Sequence, residues 1–398
     1  MTNSFLKLYL EINKQSYFFF VGQNDENDNF KIIYNLELPL KGIENNRISD
    51  LEKVSDIIKK NVYIIEQKFS YTFKEIILII ENFELTYINL SGLKKLNGSQ
   101  ILRENITYIL NTLKSCINEN EKKKTILHIF NSKFCLDNKN LENLPIGLFG
   151  DLYTHELSFI LINKNDNKNL KSIFEKCNLK IHKILVKSFV EGVNINENNK
   201  SSDTFFQLKI NKNNSKIFYF ENNSLKYEQN FKFGTDIIIK DISKIISLNK
   251  DIVELILGQT KLTKDISEDE LIEEKFFNNN NYRKIKKILI YNIALARIKE
   301  IFDLIFFKNI NLNYYEKFSK NIYLEICDKS LFYTFQELYK TTFYKNNCHY
   351  FNFKDNLSNE KMLNSVNKLV NFGWKKEAIP TSQFQKSIIA RFFDLIFE

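Results

Sequence analysis

The sequence predicts a mixed α/β fold with two similar halves, a small α+β domain inserted into the first, and a C-terminal amphipathic helix. Three observations carry this prediction. Alternating apolar residues near the N-terminus make a three-strand meander, followed by a strongly periodic helix. The same order returns about half a chain later. Between the two copies lies a block whose strands and helix do not repeat the pattern.

Leu6, Leu8, Leu10 and Ile12 alternate with polar or amphipathic neighbours, the period of a half-buried strand. Asn13-Lys14-Gln15 turns the chain into a second strand, Tyr17 to Val21, and the polar stretch "NDENDN" leads to a third, Lys31 to Leu38. "SDLEKVSDIIKKNVYIIEQKF" reads as a helix. Ser49 and Glu52 form its capping box, and Leu51, Val54, Ile58, Val62, Ile65 and Phe69 form its buried stripe. "EIILII" is a continuous apolar run of the kind found in strands covered on both faces.

In the second copy "DTFFQLKI", the turn "NKNN", "SKIFYFEN" and "SLKYEQNFKF" make the meander, and "GTDIIIKDISKIISL" restores a helical period. The intervening block holds a helix from Ser99 to Ile117, strands around "TILHIF" and "HELSFILI", and the loop "NLPIGLFG". Later elements are a helical stretch from Arg283 to Phe307, the strand "NIYLEI", a helix from Lys329 to Phe343, "CHYFNF", and a helix around Lys361 to Val370. Duplicated meanders with following helices are the plan of the ribonuclease-H-like halves of actin and Hsp70-type ATPases.

Composition narrows the partners. Lys+Arg exceed Asp+Glu by 57 to 48, but the excess is spread along a chain rich in Lys, Asn, Ile, Phe and Tyr. It makes no basic stripe with interleaved aromatics, so nucleic acid is not an expected partner. Cys116, Cys135, Cys177, Cys327 and Cys348 are odd in number and far apart, which reads as reduced, mostly buried thiols. Cys348-His349 has no partners at metal-ligand spacing, so no metal site is expected. Lys7, Glu11, Asn13 and Lys14 interrupt the apolar N-terminus, which has no signal-peptide layout. No apolar run reaches bilayer-spanning length.

The order of elements resembles the bacterial cell-division FtsA family of actin homologues. The resemblance is carried by "GIENNRISDLEKVSDIIKKNVYIIEQ" with "IILIIENFEL", and by "NLPIGLFGDLYTHELSFIL" with "NLKSIFEKCNLKIHKILVKSFVEG". "FGTDIIIKDISKIISLN" and "ALARIKEIFDLIF" add generic helices. It implies residues 1–83 as the start of the first actin-like half, 84–162 as the inserted domain and 163–200 as the rest of that half. Residues 201–345 would be the second half, 346–379 a return to the first half with a linker, and 380–398 the membrane-targeting helix. It also implies a role: tethering the FtsZ ring to the cytoplasmic face of the membrane by binding the FtsZ C-terminal peptide. Self-association into filaments, and recruitment of other division proteins through the inserted domain, would accompany it.

The resemblance stops at the nucleotide. An actin-type ATPase places an acidic residue and Gly-Ser/Thr at the first hairpin turn and Asp-x-Gly-Gly-Gly at the second, because bare backbone N–H groups must approach phosphate closely. Here the first turn reads "LEINKQS", with Glu11 as the acidic residue and Asn13 and Lys14 in place of glycine and hydroxyl. The second reads "LKINKNNSK", with Lys209 at the aspartate position, and a late glycine loop becomes "YLEICDKSLF". Asparagine adopts left-handed turn geometry, so the hairpins are expected to survive. Loss of ATP hydrolysis is the expectation, with no catalytic, cofactor or metal residue assigned. A residual ATP site, with Lys14 and Lys212 meeting phosphates in place of magnesium, stays open.

The tail follows Pro380. As a helix it places Phe384, Ile388, Ile389, Phe392, Phe393, Leu395, Ile396 and Phe397 on one stripe and Gln383, Ser387, Arg391, Asp394 and Glu398 opposite, with Ser382 and Gln385 as a capping box. Inserting such a face into an interface releases about 1 kcal/mol per large side chain, a reversible anchor that polymerisation would strengthen. The alternatives are a helix docked on its own core, an actin-like ATPase with an altered nucleotide site, and a pilus-assembly scaffold of related fold.

Overall fold

The computed structural model describes residues 6–378, apart from 25–29, 82, 199–202, 261, 263–265, 278–281, 316–320, 328–335, 337, 340–349 and 354–356. By contact, the chain divides into two units. The first comprises residues 1–200, 222–226 and 358–398, and the second comprises 201–221 and 227–357.

In the first unit β1 (Lys7–Ile12), β2 (Ser16–Asn24) and β3 (Phe30–Pro39) form the expected antiparallel meander. A small hairpin, β4 (Ile43–Glu44) and β5 (Arg47–Ile48), precedes helix α1 (Leu51–Phe69). Of the stripe read from sequence, Val54, Ile58, Val62 and Ile65 are buried, each contributing about 1.5–3 kcal/mol relative to exposure, while Leu51 and Phe69 at the two ends are only partly buried. The cap differs. Asp50 caps α1, its side chain accepting from Lys53 N at 2.9 Å. Ser49, expected in that place, lies one residue too early, and the N–H groups of Ser49 and Asp50 both donate to Gly42 O, at 2.9 and 3.1 Å.

β6 (Glu75–Ile80) runs parallel to β1, and its residues Ile76 to Ile80 are all buried, as a strand covered on both faces requires. The inserted domain follows: β7 (Leu85–Lys95), α2 (Arg103–Asn120), β8 (Lys124–Leu136), β9 (Lys139–Leu141) and β10 (Leu152–Asn163). Its antiparallel sheet has the order β7-β10-β8-β9, and α2 lays Ile109, Leu113 and Ile117 on Ile129, Leu157 and Leu161. The chain returns through α3 (Lys164–Lys176), β11 (Lys180–Val186), which pairs parallel with β6, and α4 (Lys187–Asn198). The resulting sheet has the order β11-β6-β1-β2-β3.

The second unit repeats that plan with β12 (Phe205–Ile210), β13 (Ser215–Glu221) and β14 (Ser224–Phe231) as the meander. Helices α5 (Thr235–Ile246), α6 (Lys250–Gln259) and α7 (Lys287–Phe302) then cover Phe206, Leu208 and Ile210. The helix expected through Phe307 ends in a π-helical turn, Asp303–Phe307. β15 (Asn321–Ile326) and β16 (Tyr350–Phe353) extend the sheet to β14-β13-β12-β15-β16, with β12, β15 and β16 mutually parallel. β16 pairs with β15, and the residues from Ser358 onward belong by contact to the first unit. There α8 (Asn359–Asn371) packs on α4 and β3.

Three hairpins turn on pairs with positive φ at both residues, Asn45-Asn46, Asp137-Asn138 and Asn222-Asn223, the geometry that matches the right-handed strand twist. Among the described residues four cysteines are free, and none is fully buried: Cys116 is exposed, while Cys135, Cys177 and Cys327 are intermediate. All but Gln336, Leu338 and Tyr339 of the helix expected from Lys329 to Phe343, and the tail from Pro380, including Phe384, Ile388, Ile389, Phe392, Phe393, Leu395, Ile396 and Phe397, lie outside the described residues.

Candidate functional site

The two hairpin turns that sequence reading singled out sit at equivalent places, one after β1 and one after β12. At the first, Asn13 N donates to Ser16 O at 3.1 Å, closing the hairpin. The Asn13 side chain then accepts from Gln15 N at 2.8 Å and Ser16 N at 2.7 Å. A bare turn would offer those N–H groups to an anion, but here the asparagine's own carbonyl takes them. Both hairpins are present, and neither Asn13 nor Asn211 uses the left-handed conformation open to asparagine. Side-chain hydrogen bonding shapes these turns instead.

At the second turn Asn211 N donates to Asn214 O at 2.9 Å and Asn211 Nδ2 to Asn214 Oδ1 at 2.7 Å. The first N–H groups of α5, which would otherwise form an anion site, are also satisfied. Thr235 N donates to Asn211 O at 3.0 Å and Asp236 N to Lys212 O at 2.9 Å. Gly234 makes this contact possible, since a Cβ there would lie 1.9 Å from Asn211 O. Lys212, which the open alternative of a residual ATP site would place on phosphate, pairs with Glu254 at 2.7 Å. Lys14 is exposed. At both turns, then, backbone donors that could face a phosphate are taken within the protein.

Beneath each turn lies a buried charge two residues before the asparagine, and the two are opposite in sign. In the second unit Lys209 on β12 pairs at 3.8 Å with Glu325, its register partner on β15. In the first unit Glu11, 3% exposed, pairs at 2.7 Å with Lys187, the first residue of α4. Lys187 also reaches Glu81 at 3.0 Å, and Glu191 follows one helical turn later. Burial alone would depress the Lys187 ammonium, but Glu81, Glu11 and Glu191 together hold it well above the ordinary lysine value. Glu11, Glu81 and Lys187 stand at or just beyond the carboxyl ends of β1, β6 and β11, the place where ligands gather in open α/β sheets. Sequence reading found Glu11 and missed the other three. The available signal was a charge closing each apolar run: "YLEI", "IILIIE" and "KILVK". Among the described residues no three histidine, cysteine or carboxylate side chains are grouped to hold a metal ion.

A second cluster fixes the segment after α8. Asn131 N donates to Lys376 O at 2.6 Å and Ala378 N to Ile129 O at 2.7 Å, so residues 376–378 lie along β8 like a short added strand. Glu377 accepts from His128 Nδ1 at 3.0 Å and from Lys183 Nζ at 2.9 Å. Burial opposes its charge, yet the His128 hydrogen bond and the Lys183 ammonium bring it down to about 2. Trp374 Nε1 donates to Asn223 O at 3.0 Å.

Two sheets of the same strand order, each a three-strand meander extended by two parallel strands, define an actin-like fold. Among solved structures the chain is similar to the PilM–PilN type IV pilus biogenesis complex, with a TM-score of 0.52 and 9% identity, covering 88% of each chain. It is 21% identical over 299 residues to the cell division protein FtsA of Buchnera aphidicola subsp. Acyrthosiphon pisum, covering 74% of this chain and 71% of that one. It is also 21% identical over 307 residues to FtsA of Buchnera aphidicola subsp. Schizaphis graminum, covering 76% and 72%. The chain is a divergent FtsA-like protein whose nucleotide motifs are degenerate. No family model matches it.

Proposed function

We propose that this protein is a cell-division adaptor that holds the FtsZ ring to the cytoplasmic face of the membrane and works without ATP hydrolysis. The observation that carries the second part is Asn13, whose side chain takes the backbone donors of the first turn. The division role is supported by the similarity to two FtsA proteins over about three quarters of the chain. The membrane contact falls to the tail, with Phe384, Ile388, Ile389, Phe392, Phe393, Leu395, Ile396 and Phe397 as its inserted face. Among the described residues no helix is long and apolar enough to cross a bilayer. The FtsZ C-terminal peptide, further copies of the chain and later division proteins complete the partners.

Co-sedimentation tests the anchor. Vesicles should pellet the full chain and leave behind one truncated before Gln383, and equal pelleting of both removes the assignment. Calorimetry with ATP and magnesium tests the rest, since binding with turnover would restore the actin-like ATPase reading. The pilus-scaffold reading keeps the 0.52 TM-score of PilM in its favour, and binding of an FtsZ tail peptide separates the two.

A further inference from the structure

Glu11 and Glu81 aim their carboxylates at one point, at the ends of two adjacent parallel strands, and the Lys187 ammonium fills that point at 2.7 and 3.0 Å. Backbone holds the arrangement, since Glu81 N donates to Ile12 O at 3.0 Å and Lys187 follows directly on β11. Glu191 adds its field from the next turn of α4 and is itself buried. A small divalent cation is commonly held by one or two carboxylates with water filling the remaining positions. A buried ammonium between two carboxylates meets the same need for positive charge, without an exchangeable ion.

We infer that Lys187 is a built-in replacement for a divalent cation, so that the first unit is closed and complete with no metal, and that removing this side chain opens a divalent-cation site on Glu11 and Glu81. The inference rests on the reading that the chain does without ATP hydrolysis, and it explains how the acidic residue of the first turn is retained there. Breaking a buried ion pair by removing one partner is strongly destabilising, so carboxylates left without Lys187 gain from any cation supplied.

The experiment is a Mn2+ titration of the full chain, followed by paramagnetic resonance of free Mn2+ and by thermal unfolding. The wild type should bind no Mn2+ saturably. Lys187→Ala should bind it at least tenfold more tightly than the wild type and rise in unfolding temperature with Mn2+, and Glu11→Gln added to that variant should abolish both gains. Saturable wild-type binding that Glu11→Gln removes would overturn the inference, as would a folded Lys187→Ala chain that gains no Mn2+. Should Lys187→Ala fold only with Mn2+, the inference stands. Should it fold in neither condition, the Lys187→Ala, Glu81→Gln double variant, relieved of one carboxylate, is expected to fold; continued failure would overturn it. ATP turnover is assayed alongside. Wild-type Mn2+ binding without turnover defeats only this inference, whereas turnover defeats the adaptor reading as well.

Discussion

Replacing Glu377 with glutamine removes one charge from a site where it faces both Lys183 and His128, and changes almost nothing in shape. The carboxyl is held near 2 against an ordinary value of 4.5. At about 1.4 kcal/mol per unit this is worth about 3 kcal/mol of stability. Only 12% of the side chain is exposed, so solvent screening takes little from that figure. Glutamine still accepts one hydrogen bond, and the expected loss at pH 7 is about 2–3 kcal/mol. The single tryptophan, Trp374, lies three residues away, so its fluorescence during urea unfolding reports on this segment. Because the folded value is depressed, the stabilisation is fully present above about pH 4.5 and is lost as pH falls toward 2. The gap between wild type and variant should therefore be about 1 M in urea midpoint at pH 7 and shrink steadily below pH 4.5. Lys183→Met combined with Glu377→Gln should cost less than the sum of the single changes by at least about 1 kcal/mol. A Glu377→Gln chain within about 0.5 kcal/mol of wild type at pH 7, with an additive double variant, would refute the reasoning.

Three further outcomes are expected from the same geometry. His155 is buried and pushed down to about 4, so stability should be complete above pH 6.5 and decline by about 3 kcal/mol as pH falls toward 4, a decline that His155→Phe should blunt in urea titrations. Gly234→Ala would put a Cβ 1.9 Å from Asn211 O and should lower stability by several kcal/mol in calorimetry, whereas Gly98→Ala, where nothing lies within 4 Å, is limited to the strain of its positive φ. Asp50→Ala should cost about 1 kcal/mol through lost capping of α1, and Ser49→Ala should cost less than half of that by chemical denaturation.

Which of these features could be read ahead of the structure depended on how local their cause was. The first meander and α1 arise from periods of two and of about four, and β6 from an unbroken apolar run, signals that a window of a dozen residues contains. β7 did not declare itself, because "LTYINLSGLKK" carries Ser91 and Gly92 at its centre and owes its extension to eleven register partners on β10. Gly92 is there for packing, since a Cβ would meet Ile109 of α2 at 2.4 Å. Ser49 and Asp50 are adjacent and both have side chains able to cap, and only the structure shows that it is Asp50 that accepts from Lys53 N. The turns announced the missing glycines but not what fills the place, because Lys187 meets Glu11 across 176 positions of chain. Likewise nothing near Glu377 hints at His128, which approaches it only once β8 is built.

The lacing of residues 376–378 to β8, and of α8 to the opening strand through Lys7 and Asn367 at 3.0 Å, has a temporal consequence. A ribosome that has delivered the first two hundred residues has delivered most of one unit but not its closing pieces. Until Ser358 and the residues beyond it emerge, one margin of β8 stands without its partner and the surfaces of α4 and β3 that receive α8 stay wet. The nascent chain must wait through synthesis of the whole second unit before its first can be finished, which makes the early product a natural client for chaperones.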